Sequence, residues 1–258
     1  MELNNEGLFF ASGYQKLFAL SVFFTLIIAE TYFMHRAIEK NIVRRSYSLN
    51  LRIFLFNDIV MNLLSVSSLL LVAESCSGFG LLNIVQNVPL KIFLSFTLYD
   101  LMQYWLHRAR HENKFLWRFH KVHHSDKDMN TTTALRLHVA EVLLTTMAKA
   151  VFIAVMGVPV LIFALCEVII TAIVMMNHAN ISFRGERLLS YVFIVPCKHV
   201  VHHSAYWKEH ESNFGFALSV WDRIFGTCKM AEPNELGLPN MKEPDFWETL
   251  FLTFKKRK

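Results

Sequence analysis

The residues most able to do chemistry in this chain are its histidines, twelve of them in 258 residues. His107 and His111 stand four apart in His107-Arg-Ala-Arg-His111, a spacing that puts two side chains on one face of a helix. His120-Lys-Val-His123-His124 and His199-Val-Val-His202-His203 repeat one pattern, in which the first imidazole reaches the other two at i+3 and i+4. Each triplet reads as a claw for a metal ion. Eight imidazoles exceed the four ligands of one closed zinc site, so the set is large enough for two metals. One HxxxH arises easily by chance; two HxxHH triplets and an HxxxH in one short chain do not fit a set of unrelated histidines. Imidazole suits zinc, copper, iron and nickel alike, so ligand type leaves the metal open. The neighbouring Glu112, Asp126 and Asp128 stand at no ligand spacing with a histidine, which disfavours a carboxylate-bridged hydrolytic centre and favours oxygen chemistry at a nitrogen-rich diiron centre. His35 reads as unrelated, and His138 and His210 lie near clusters without sharing their spacing.

The elements that must position these groups are apolar. Hydrophobic residues make up 53% of the chain and charged residues 18%, against roughly 45–50% and 25% in a soluble domain. The mean hydropathy is +0.32. Stretches long enough to span a bilayer run over Leu17–Met34, Ile53–Ala73 and Leu90–Leu106. A fourth, Val139–Met176, is interrupted by Gly157 and Pro159 and predicts a hairpin of two spans. The expected fold is an all-α integral membrane protein with about four to five membrane helices, three spans plus a helical hairpin, and a cytosolic helical cap carrying the histidines. One domain is expected over 1–258: N-terminal spans at 17–73, a histidine-rich catalytic region at about 98–227 and a basic tail at 228–258.

Charge sets the expected orientation. The segment 36–52 holds Arg36, Lys40, Arg44, Arg45 and Arg52 against Glu39 alone, so it belongs on the cytoplasmic side. Segment 74–83 and the acidic N-terminus have no such excess and belong opposite, which brings His107 and everything from Asn177 onward to the cytoplasmic face. The N-terminus lacks the basic start and small-residue cleavage site of a signal peptide, so the first apolar run is expected as a span. Cys76, Cys166, Cys197 and Cys228 form no CxxC, which argues against a thiolate zinc site, c-type haem or a disulfide framework. The net charge of +5 comes without interleaved basic and aromatic residues, so anionic lipid is a better partner than nucleic acid.

The stretch Asp100-Leu-Met-Gln-Tyr-Trp-Leu-His107-Arg-Ala-Arg-His111, then Leu116-Trp-Arg-Phe-His120-Lys-Val-His123-His124-Ser125, resembles the first two boxes of the fatty acid hydroxylase/sterol desaturase superfamily of integral-membrane diiron oxygenases. Lys198-His199-Val-Val-His202-His203-Ser204, followed by Asn213-Phe-Gly and Trp221-Asp-Arg-Ile-Phe-Gly-Thr227, resembles the third. The likeness covers about Leu98–Thr227, while the first two spans match only in hydrophobicity. His107-Arg-Ala-Arg-His111-Glu112 and Thr133-Ala-Leu-Arg136 look most like the alkylglycerol monooxygenase branch.

The resemblance implies a ninth ligand, His178 in Met-Asn-His178-Ala-Asn180. Many relatives have a His-Pro pair where this chain has His138-Val139, so His138 is expected to support a ligand rather than be one. Asp100 lies two helical turns before His107 inside an apolar run and is expected to accept from a ligand imidazole; Asp222 is expected to do the same or to pair with Arg223. Glu141 and Glu167 fit interhelical hydrogen bonds at least as well as catalysis. Phe93, Phe96 and Tyr99 fit a substrate slot or plain packing, and no substrate residue is assigned.

The implied cofactor is two iron ions with O2 as co-substrate, and the implied reaction is hydroxylation or desaturation of an alkyl chain or sterol in a lipid. No dinucleotide motif or iron–sulfur cysteine pattern is present and the chain is short, so electrons are expected from a separate donor of cytochrome b5, ferredoxin or pterin type. The implied location is a bacterial inner membrane or, in a eukaryote, the endoplasmic reticulum. Rival readings are a membrane zinc hydrolase, a metal-ion transporter and a bis-histidine haem carrier. A transport path favours ionisable groups across mid-span positions, and a haem carrier favours single histidines on paired spans.

Overall fold

The computed structural model describes residues 5–64, 69–76 and 78–255 and, among these, is built from helices, with three isolated β-bridges and no strand. In chain order the helices begin with α1 (Asn5–Phe33), α2 (Lys40–Leu63), α3 (Leu69–Cys76), α4 (Val88–Glu112), α5 (Lys114–His120), α6 (Val139–Met156) and α7 (Val160–His178). Five further helices follow: α8 (Glu186–Leu189), α9 (Pro196–His202), α10 (Trp207–His210), α11 (Val220–Ile224) and α12 (Phe246–Leu250).

Among the described residues, three helices are long and apolar enough to cross a membrane: Gly13–Phe33 within α1, then α6 and α7. The hairpin forms as the sequence predicts. Gly157 ends α6 with φ 65°, a left-handed turn that also brings the backbone against Phe79, so an added Cβ would collide with the Phe79 carbonyl. Pro159 then caps α7, where its missing N–H costs nothing. Tyr99 from α4, Phe152 and Ile153 from α6 and Phe163 from α7 pack one core between these helices.

The two other expected spans differ from expectation. Helix α2 begins at Lys40, so most of the basic segment 36–52 is helical, and the buried residues of α2 include Ser46, Asn50 and Asn57. The stretch Ile53–Ala73 is divided between α2 and α3, and its residues 65–68 lie outside the described residues, as does the tail from residue 256. Helix α4 is about 37 Å long by its rise but carries Lys91 and a buried polar face of Ser95, Asp100, Gln103 and His107. Those polar groups lower its hydropathy because they face protein rather than lipid.

Caps fix where α4 delivers its histidines. Asn87 accepts from the Leu90 amide at the start, and Asn113 both ends α4 and starts α5, accepting from the Phe115 and Leu116 amides. The shared cap breaks the helix between His111 and His120.

Candidate metal centre

The nine predicted histidines converge in two adjoining buried groups. His107, His111, His120, His124 and His202 form one, and His123, His178, His199 and His203 the other; within each, one ring nitrogen per residue lies within 4.8 Å of all the others. The sequence pattern divides differently from its appearance. In each HxxHH the i and i+4 residues stay together while the i+3 residue crosses over: His120 and His124 against His123, and His199 and His203 against His202. His120 ends α5 and His123 and His124 lie in the 3-10 turn after it, while His199 and His202 lie in α9 and His203 caps its end, so each triplet straddles both groups.

The rings are aimed by what holds their outer nitrogens. His107 Nδ1–H donates to the Phe214 carbonyl at 2.9 Å, His202 Nδ1–H to the Ser212 carbonyl at 2.8 Å and His178 Nδ1–H to the Val174 carbonyl at 2.7 Å. His120 Nδ1–H donates to Glu141 at 2.8 Å, and Arg110 approaches the same carboxylate oxygen at 3.4 Å. A carbonyl or carboxylate accepts only, so these four rings carry their proton on Nδ1 and turn the Nε2 lone pair inward.

The inward nitrogens fit a metal. His107 Nε2 and His120 Nε2, both lone pairs, face each other at 3.1 Å, and His178 Nε2 lies 3.0 Å from the Nε2 atoms of His123 and His199. Two lone pairs repel unless a cation lies between them. Nitrogens bonded to one ion at about 2.1 Å and at right angles stand about 3.0 Å apart. His124 Nε2, His202 Nε2 and both nitrogens of His203 are buried without a hydrogen-bond partner among the described residues, a costly arrangement that coordination would relieve. Burial first, and then the neighbouring imidazoles, push His111, His123, His124, His199, His202 and His203 below the ordinary histidine range. They are therefore neutral near pH 7, the form that binds metal.

The predicted supporting residues are one bond further away than expected. Asp100 touches no histidine: it accepts from the Ala217 and Leu218 amides and the Trp221 indole. Asp222 accepts from the Phe214 and Gly215 amides and the Thr227 hydroxyl, while Arg223 turns to the Ser190 and Tyr191 carbonyls. Together the two aspartates pin segment 214–218, whose Phe214 carbonyl holds His107. Gly215 is required there, since a Cβ would meet the Leu218 carbonyl at 2.6 Å and Asp222 at 2.9 Å. His138 caps α6 by accepting from the Ala140 amide. His210 stacks on Trp117 with ring centroids 5.5 Å apart, lies 5.8 Å from the His111 ring and approaches Glu211 at 3.3 Å. His35 donates its backbone N–H to the Asn180 carbonyl.

Sequence reasoning missed the polar residues of α1 and α2. Glu30 accepts from the amides of Thr131 and Asn180, just beyond His124 and His178, and from the Tyr47 hydroxyl. Asp126 is bound by Ser46, Asn50 and Thr133 and lies 3.4 Å from the buried Arg136. Burial alone would raise the Asp126 carboxyl, but Arg136 and these donors outweigh it and hold it below the usual carboxylate range. The signal available was an acidic residue inside the most apolar part of the N-terminal third, which is expensive unless paired.

A cavity of about 230 Å3 opens beside the histidines between α4, α6 and α7. His107, His120, His123, His178 and His199 line one end, and Ile170, Val174 and Phe216 line its apolar wall.

The family model for fatty acid hydroxylases matches residues 92–227, more than half of the chain and all nine of these histidines. The chain belongs to the fatty acid hydroxylase family. Among its curated relatives, the ornithine lipid hydroxylase OlsE of Rhizobium tropici is 28% identical over 137 residues, 53% of this chain and 41% of that protein. Human alkylglycerol monooxygenase is 30% identical over 153 residues, and the Xenopus tropicalis enzyme 28% over 151; each match spans 58% of this chain and 33% of the relative. This fatty acid hydroxylase family member thus matches well under half the length of those proteins. No solved structure matches it.

Proposed function

We propose that the chain is a membrane-bound, O2-dependent lipid hydroxylase whose histidines hold two iron ions. His107, His111, His120, His124 and His202 would hold one ion, and His123, His178, His199 and His203 the other. Bound iron would supply reduction of O2, with electrons from outside the chain, and transfer of one oxygen atom into an alkyl C–H bond. The observation that carries this reading is the pair of inward Nε2 lone pairs on His107 and His120, facing each other at 3.1 Å with no proton to share, an arrangement that a cation relieves.

The chain's own residues do the rest. Glu141 and the carbonyls of Val174, Ser212 and Phe214 fix ring orientation. The apolar wall of the cavity excludes water and registers an alkyl chain against the histidines. Hydroxylation is favoured over desaturation by relatives named as hydroxylases and monooxygenases. The site faces the cytoplasm on the positive-inside reading, a separate redox partner delivers the electrons, and the whole chain acts as one domain.

Metal analysis of the purified chain tests the reading directly. About two iron per chain, with oxygen-dependent lipid product, is expected. Zinc as the sole active metal, or a haem Soret band, would overturn it. Untargeted lipid analysis of cells with and without the gene then identifies the altered lipid.

A further inference from the structure

An ion pair sits where the membrane-spanning helices should be most apolar. Lys149, mid-way along α6, donates to both carboxylate oxygens of Glu167 on α7 at 2.9 Å. Tyr99 on α4 donates its hydroxyl to the same carboxylate, and the ammonium lies 5.8 Å from the Tyr99 ring centre. Charges at this depth are expensive and mark function by default. A purely structural staple would be sealed away, but Lys149 lines the same cavity as the histidines.

The backbone rise along three packed helices gives the approximate depth of this cluster below them. Lys149 is eight residues beyond Glu141, which holds His120; Tyr99 is eight before His107; Glu167 is eleven before His178. At 1.5 Å per residue these separations are about 12, 12 and 16 Å. Glu167 takes two of the three ammonium donors among the described residues and cancels its charge. What remains for the cavity is one N–H donor on a net-neutral pair. Such a group suits a neutral oxygen acceptor. An anion there would meet the Glu167 carboxylate, and a bare methylene would leave the donor unpaired.

We propose that Lys149, held by Glu167 and Tyr99, binds a neutral oxygen within the lipid substrate, an ether, ester, amide or hydroxyl oxygen, about 12 Å from the histidines. An extended chain advances roughly 1.2 Å per bond, so the oxidised carbon lies about ten bonds from that oxygen. This deepens the hydroxylase reading and rests on it for the word substrate, while the binding itself is separable from oxidation.

The test is binding to the full chain in nanodiscs, followed by thermal stabilisation. The probes are a long-chain dialkyl ether with its one oxygen at mid-chain and the n-alkane of the same length, which has no oxygen acceptor. The wild type should bind the ether about tenfold more tightly, the worth of one hydrogen bond, and lose the preference as the oxygen is moved toward either chain end. The double variant K149M/E167L, which removes both charges together, should bind the two probes equally; K149M/E167Q serves if that variant does not fold. Equal binding by the wild type, or an undiminished preference in a folded double variant, overturns the proposal. If the preference behaves as expected but the iron-loaded chain never oxidises either probe with O2 and reductant, the binding site stands and the hydroxylase reading fails.

Discussion

The five-histidine and four-histidine groups share a boundary but rest on different supports. In the larger group, His107 and His202 are held by carbonyls of the 212–214 segment and His120 by Glu141, so its geometry depends on a loop that Asp100 and Asp222 pin in place. In the smaller group, His178 bonds the carbonyl one turn back in its own helix, and His199 and His203 project from α9 and its end. In the first group three rings are oriented by hydrogen bonds to other segments, and in the second His178 is oriented by its own helix. A defect in the supporting network should therefore empty the first group before the second.

Ligand removal is the largest test. His202→Ala and His123→Ala should each abolish oxygen-dependent product, and metal analysis should show each losing the ion of its own group first. Retained activity in both would contradict the ligand assignment. Acidification comes next and should not distinguish the groups, because buried histidines with lowered pKa occur in both. Their folded pKa lies below the unfolded value of 6.5, so the unfolded chain takes up protons that the folded chain refuses. Stability of the metal-free protein should hold above pH 6.5 and fall below it, by about 1.4 kcal/mol per pH unit for each proton. Thermal melts across pH 5–8 would show this, and a flat profile would count against buried neutral rings.

Asp222→Ala should cost about 3 kcal/mol by leaving the Phe214 and Gly215 amides unpaired, and should weaken metal binding in the five-histidine group alone, as read by metal titration with denaturant melts. Glu141→Gln keeps the shape but replaces the carboxylate that accepts from His120; affinity of that group should drop about 10- to 100-fold with the other unchanged. Equal loss from both groups in either variant would remove the distinction between their supports. The smallest effect is expected from Arg108→Ala. Its ion pair with Glu112 is partly exposed and one helical turn long, worth less than about 0.5 kcal/mol in a melt.

Much of the site was legible because its spacing is local. HxxxH and HxxHH are helix-scale patterns, and so is the Gly157/Pro159 break that sets the hairpin. Less legible was which histidine joins which group, since the crossing of His123 and His202 depends on the relative placement of α4, α5 and α9. Asp100 and Asp222 were recognisable as buried carboxylates needing partners, but their partners lie in a loop more than a hundred residues away for Asp100 and in a tight turn for Asp222. Glu30 was hidden in a segment read only for hydrophobicity, and Ser46 and Asn50 in one read only for its basic charge. They tie α1 and α2 to the ends of the second histidine motif and of α7.

Composition and motif spacing by themselves determined that this chain is helical, apolar and built to gather histidines, because helix periodicity and lipid solubility act over a few residues. Tertiary structure alone decided the division into five and four, the carboxylate that holds His120, and the pairing of the cavity-lining Lys149 with Glu167. Those features require side chains from separate helices to meet within hydrogen-bond distance, and sequence separation carries no record of that distance.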